Sequence, residues 1–334
     1  MGYRPIWKFE WGFTLATTAL EKDSTNLAGV NLVEDSNKNS SENERLEVLK
    51  TYKMYIDGKF PRTESARFYQ PVVNGSTLGN VCLASRKDVR NAVVAARSAQ
   101  ASWARRSAYN RAQILYRIAE MLEGRSQQFI DELVRQGVGT ADAEKQVAES
   151  IDRLIYYAGW CDKFQQIFSS VNPVASSHFN FSTLEPVGVV FTVASRDCPL
   201  LGLVSLVAPV IASGNTCVVL ASENGPLSAI TFAEVLATSD VPGGVVNILT
   251  GRIEELHEHF SRHLDVNAIA CDGLGVALNT KIKEFASENI KRVKIYDQDW
   301  SVEASANPYL IQDFCEVKTT WHPIEQISET GAAY

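Results

Sequence analysis

The sequence predicts an α/β protein, a doubly wound parallel sheet with a block of helices ahead of it. From Glu185 onward, short apolar runs alternate with helical segments. The runs are apolar on both faces, as strands covered by helices must be. Strand–helix alternation of this kind closes into a parallel sheet with right-handed crossovers. With 334 residues, 45% of them hydrophobic, the chain is long enough to bury such a core.

The elements follow in chain order. Residues 1–21 hold an aromatic segment, GYRPIWKFEWGF, expected to dock onto this domain or a partner. Residues 22–50 are polar, rich in Ser, Asn and Glu and free of aromatics, and read as a linker. Tyr52–Phe60 reads as a hairpin turning at Asp57-Gly58. Three helices are expected next. Lys87–Trp103 has Ser85 as N-cap and Val89, Val93, Ala96 and Trp103 at helical spacing. Asn110–Arg135 buries Ile114, Ile118, Leu122, Ile130 and Leu133, and Ala141–Phe168 turns Ile151, Leu154, Ile155 and Ala158 inward. Phe179 and Phe181 alternate with polar residues, which suits an exposed strand. The sheet strands are then Val187–Ala194, Thr216–Leu220, Val245–Leu249, Val266–Cys271 and Val293–Tyr296. Between them lie the helices Leu200–Ser213, Pro226–Ala237, Glu254–His263 and Val276–Ser287. The main domain thus spans 51–296, and the tail 297–334, with no clear period, is expected to pack over the surface.

Composition excludes several roles. The formal net charge is −7, with no basic stripe, which argues against nucleic acid as a partner. No apolar run approaches 20 residues, so no membrane span is expected. Ile6 stands where a myristoylation signal wants Ser or Thr, and the short stretch Phe13–Leu20, preceded by Glu10, makes a poor signal peptide. Six scattered cysteines without a C-x-x-C pair read as buried small hydrophobes in a reduced, cytoplasmic compartment.

Several segments resemble the aldehyde dehydrogenase superfamily: EPVGVVFTVASRDCPLLGLVSLVAPVIASGNTCVVLASE, PLSAITFAEVLATSDVPGGVVNILTG and VNAIACDGLGVAL, with YIDGKF and YNRAQILYRIAEMLEGR upstream in the family's order. The likeness runs from about Tyr52 to Tyr296. EVKTTWHP and KDVRNAVVAARSAQASW resemble, more narrowly, the cysteine-less second repeat of two-repeat, family-sixteen-type aldehyde dehydrogenases. The resemblance implies a Rossmann-like cofactor-binding domain with a projecting β arm, NAD(P) as cofactor, and no catalytic domain after Tyr296.

It also implies a damaged site. In the family a cysteine attacks the aldehyde, an asparagine helps hold the oxyanion, hydride passes to NAD(P), and a glutamate activates water. These groups act as a unit. The family's Pro-Trp-Asn-Phe-Pro reads Ser195-Arg196-Asp197-Cys198-Pro199, so the oxyanion donor becomes a carboxylate with no N–H to give. Lys-Pro-Ser-Glu reads Leu220-Ala221-Ser222-Glu223: the ribose-contacting lysine is a leucine, while Ser222 and Glu223 remain. Phe-Thr-Gly-Ser reads Cys271-Asp272-Gly273-Leu274, which puts Asp272 where phosphates would sit, and a glycine four residues on is Leu278. Glu-Leu-Gly-Gly reads Tyr296-Asp297-Gln298-Asp299, which replaces the base by Tyr296. Losing one oxyanion donor alone costs ~10²–10³ in rate. The expectation is therefore no catalytic residue, and residual cofactor contacts at Ser222, Glu223, Gly251 and Gly273 with no tightly held cofactor.

Each residue also has a plainer reading. Ser222 is equally a helix cap, and Gly243, Gly244 and Gly251 are turn glycines. Cys198 precedes a helix start, where a dipole lowers a thiol's pKa, but Asp197 beside it opposes that, so it is read as structural. His257, His259 and His263 share the helix EELHEHFSRH, where His259 and His263 are one turn apart. With no H-E-x-x-H pattern they are read as a solvated face and not a metal site. The Phe179/Phe181 strand resembles the family's oligomerisation arm, and such strands pair with other chains. The expectation is a catalytically inactive subunit in a homo-oligomer, or in a hetero-oligomer with an active aldehyde dehydrogenase. The rivals are an NAD(P)-dependent oxidoreductase completed by a partner chain, and a nucleotide sensor.

Overall fold

The computed structural model describes residues 48–324. The aromatic segment, the linker up to residue 47 and the last ten residues lie outside that range. Five short strands open the described chain: β1 (Thr51–Tyr52), β2 (Phe68–Tyr69), β3 (Val72–Val73), β4 (Ser76–Thr77) and β5 (Asn80–Cys82). The turn at Asp57-Gly58 forms with both residues at positive φ, 55° and 71°, and with Ile56 and Lys59 exchanging backbone hydrogen bonds. Paired left-handed residues are what a type I′ turn needs. The strand before it does more than fold back. Tyr55 exchanges backbone bonds with Ile248, so it extends the edge of the main sheet, where those groups would otherwise go unpaired.

The helical block comprises α1 (Arg86–Ala104), α2 (Ala108–Glu123), α3 (Ser126–Arg135), α4 (Thr140–Trp160) and α5 (Phe164–Phe168). Ser85 does cap α1, and the Asp88 carboxylate accepts from the Ser85 N–H (2.8 Å) and the Thr63 hydroxyl (2.7 Å). The single helix expected over 110–135 is two. Gly124, unfavourable in a helix interior, sits at the break, where Arg125 N–H bonds back only three residues, to Leu122. The break buries Phe129 and leaves Ile130 half-buried. The next expected helix stops at Trp160, turns, and resumes as α5; its Ile155 lies on the solvent side.

Strands β6 (Ser170–Asn172) and β7 (His178–Pro186) lead into the parallel sheet of β8 (Val189–Val193), β9 (Thr216–Leu220), β10 (Val246–Leu249), β11 (Ala268–Asp272) and β12 (Arg292–Tyr296). Its order is β10-β9-β8-β11-β12, with crossovers α6 (Leu201–Ala212), α7 (Pro226–Ala237), α8 (Ile253–Ser261) and α9 (Val276–Ser287). The doubly wound, Rossmann-like architecture read from the sequence is therefore present. Alternate strand residues feed two cores: Cys217 and Val219 face the side of α6, α7 and the helical block, while Val218 and Leu220 face that of α1 and α8. All twelve residues of α6 are buried, because it is packed between the sheet and α4. On the other side Phe191 stacks on Phe260 with ring centroids 4.0 Å apart.

The tail departs from expectation. After Trp300 come α10 (Tyr309–Gln312) and a nine-residue strand, β13 (Cys315–Pro323). β13 pairs antiparallel with the whole of β7, and β6 pairs with β7's other edge. The Phe179/Phe181 strand is thus the centre of a three-stranded arm. Thr319, Thr320 and Trp321 give β13 its strand character, but its partner lies over a hundred residues earlier, beyond any local periodicity.

Candidate functional site

In open α/β sheets, ligands bind outside the carboxyl ends of the strands where strand order reverses. Here that point lies between β8 and β11, because the chain winds from β8 toward β10 on one side and continues at β11 on the other. The loops leaving these ends carry Ser195–Cys198, Ser222-Glu223, Gly251-Arg252 and Gly273-Leu274. The fold thus brings Ser222, Glu223 and Gly251 to one cleft, together with Arg196 and Leu274. Gly273, on the neighbouring loop, does not line it.

The cleft is small. Its cavity volume is about 20 Å³, room for roughly one water molecule, against roughly 300–1,000 Å³ for small-molecule pockets. Leu274 and Leu278 pack against the core beneath it, and Leu220, in the family's lysine position, is buried in the same core. Ion pairs hold the polar side chains: Glu223 accepts from Arg252 Nε at 3.2 Å, and Glu254 from Arg196 at 3.4 Å. Gly251 is explained within the chain, since a Cβ there would come within 3.2 Å of the Ala84 backbone nitrogen. Gly273 turns at φ +64° with open space around it. Only Ser222 retains an unused group: its buried Oγ has no hydrogen-bond partner among the described residues. One orphaned hydroxyl over a one-water cavity does not fit a dinucleotide.

Asp272 differs from its expected place. Its carboxylate does not face the loop but lies buried, accepting from Trp300 Nε1 at 2.9 Å. Burial pushes its pKa up, while the Trp300 and Ser195 hydrogen bonds pull it down. The Trp300 carbonyl in turn accepts from Arg153 Nη2 (2.9 Å) and from the Ser305 hydroxyl (2.9 Å). The tail is therefore latched onto the carboxyl ends of the strands through a buried tryptophan, a feature the sequence reading missed. Its only sequence signal is a tryptophan six residues past Lys294, within an otherwise polar segment.

The remaining candidates are chemically quiet. Cys198 lies beside Asp197 in a cavity of about 400 Å³ that Asp142, Lys145 and Glu149 also line. Burial, with help from Asp299, Asp197 and Asp272, pushes its thiol up to about 11. About one thiol in ten thousand is then ionised at pH 7, and the thiolate is the nucleophile. Tyr296 donates its hydroxyl to Asp313 at 2.9 Å, and burial and Asp313 push its pKa upward, the wrong direction for a base. All six cysteines are free, and the described residues contain no cluster able to hold a metal ion. His257 packs on Phe285, while His259 and His263 line a separate groove with arginines.

A sequence profile of the aldehyde dehydrogenase family matches residues 60–296. DhaS of Bacillus subtilis is 34% identical over 257 residues, covering 73% of this chain and 50% of that protein. The cytosolic 10-formyltetrahydrofolate dehydrogenase of Mus musculus is 33% identical over 258 residues, covering 75% of this chain and 29% of that one. The chain thus spans half or less of the length of these relatives. Among solved structures, the NAD+ complex of an aldehyde dehydrogenase from Bacillus cereus superposes with a TM-score of 0.70 at 27% identity, covering 74% of this chain and 50% of that one. PnpE in complex with nicotinamide adenine dinucleotide gives 0.70 at 29%, covering 73% and 50%.

Proposed function

The chain belongs to the aldehyde dehydrogenase family, and we propose that it is a catalytically silent member of it, one that assembles through its β arm with copies of itself or with an active relative. The observation that carries this reading is the state of the crevice at the strand ends. The cleft of Ser222 and Glu223 holds room for about one water. Glu223 is held by Arg252 and Arg196 by Glu254, and the Cys198 thiol on the neighbouring loop is pushed up to about 11. Asp197 stands where the family has its oxyanion-holding asparagine and Tyr296 where it has its glutamate base, and because such groups act together, replacing both is expected to silence the site.

The arm supports assembly. On one face Phe179 (46% exposed) and Val171 lie open, and Trp321 (57% exposed) lies on the other. β6 and β13 are its edges and carry unpaired backbone groups, a template for another strand. Six free cysteines agree with a reducing, cytoplasmic setting. Light scattering coupled to size exclusion, on the chain alone and mixed with an active family member, tests the proposal. A dimer or larger species in either sample is expected, and a monomer in both would overturn it. NADH formation with a panel of aldehydes is expected to stay at background.

A second reading, an NAD(P)-dependent oxidoreductase completed by a partner chain, draws on the unpartnered Ser222 hydroxyl and on Glu223, both lining the cleft at the strand ends. Aldehyde-dependent NADH production that appears only in the mixture would favour it.

A further inference from the structure

Toward the carboxyl end of α8, away from the crevice's ion pairs at its amino end, lies a groove between α1 and α8 with a cavity volume of about 370 Å³. Arg86 and Arg90 line it from α1; His259, Arg262 and His263 line it from the carboxyl end of α8. The chain as a whole carries −7, so three guanidiniums in one concavity run against its overall charge. Arg86 and Arg90 form no ion pair among the described residues. Glu258 is the one carboxylate in the lining, and Arg262 holds it while also reaching Glu288 at 2.9 Å. Two of the histidines read as a solvated face, His259 and His263, therefore sit among cations. Burial lowers both imidazoles' pKa, with Arg86 acting further on His259. His263 Nδ1 accepts from the Asp265 N–H at 3.2 Å, so its proton resides on Nε2, which can donate.

We propose that this groove binds a phosphate-bearing small molecule. The two unpaired guanidiniums point to an anion, since each offers a fork of N–H donors that matches phosphate oxygens. Donors arriving from two helices suit a tetrahedral anion better than a planar carboxylate, which one fork satisfies. The volume falls within the range of small-ligand pockets. Glu254, Glu255 and Glu258 on the same helix would repel a long polyanion laid across it, which disfavours nucleic acid.

The test is calorimetric titration of the full chain with inorganic pyrophosphate, with malonate as the carboxylate control. One saturable site is expected, with malonate binding at least about tenfold more weakly. The double variant Arg86→Gln/Arg90→Gln should lose about tenfold or more in pyrophosphate affinity, the scale of one or more charged hydrogen bonds. The crevice variant Arg196→Gln/Arg252→Gln should bind as the parent does. A shared unfolding midpoint would show that all variants are folded. Absence of saturable binding, equal affinity for malonate, retained affinity in the folded Arg86/Arg90 variant, or equal loss in both variants would each overturn the proposal.

Discussion

Two concavities of this chain lie at opposite ends of α8, and they have opposite character. In the cleft of Ser222, Glu223 and Gly251 at the strand ends, arginine is paired with glutamate, leucine fills the floor, and about 20 Å³ remains, with a tail tryptophan latched to Asp272 beside it. Between α1 and α8, two arginines are unpaired and about 370 Å³ is open. The first is where the fold class places ligands; the second is not. A fold fixes where a crevice lies, but side chains decide how much room it keeps, so resemblance alone would have pointed to the smaller one.

The largest test of this contrast is Trp300→Ala. It removes a fully buried side chain and strands the Asp272 carboxylate, and should cost about 3–5 kcal/mol. Guanidinium unfolding should show a lower midpoint with an unchanged slope. Pyrophosphate binding should be retained wherever the variant is folded; loss of both would mean that the two concavities are coupled.

Asp272→Asn should have a smaller effect that depends on pH. The folded-state pKa of Asp272 lies above its ordinary value of 3.8. Between the two values the folded chain binds more protons than the unfolded one, so this group's contribution to stability falls as pH rises. An asparagine still accepts from Trp300 Nε1 but cannot ionise. The difference in unfolding free energy between variant and parent should therefore move in the variant's favour from pH 4 upward and then level off. A difference that stays flat with pH would show that the carboxylate is not strained.

Arg252→Ala should be the mildest. It breaks an exposed pair with Glu223, worth less than about 1 kcal/mol, and should lower the melting temperature by no more than about 4 °C. If calorimetry then detected NAD binding, the ion pair itself, and not the leucine floor, would be what excludes NAD from the crevice.

Much of this was legible in the sequence. The five strands and four crossover helices of the sheet appear within a few residues of where the apolar runs place them, because burial on both faces leaves a local mark. The replaced residues, from Asp197 to Tyr296, can be named from sequence alone. The errors came where local pattern was overridden: Gly124 broke a helix whose apolar spacing runs through it, and Ile155 kept helical spacing but faced solvent.

Sequence by itself determined the alternation of strands and helices, and which chemical groups are present, since both are properties of neighbouring residues. Tertiary structure alone decided which groups meet. Glu223 finds Arg252 across 29 residues, Asp272 finds Trp300 across 28, Arg153 reaches the same tryptophan across 147, and β13 returns to β7. The order of strands in the sheet sets those encounters, and no periodicity along the chain records that order.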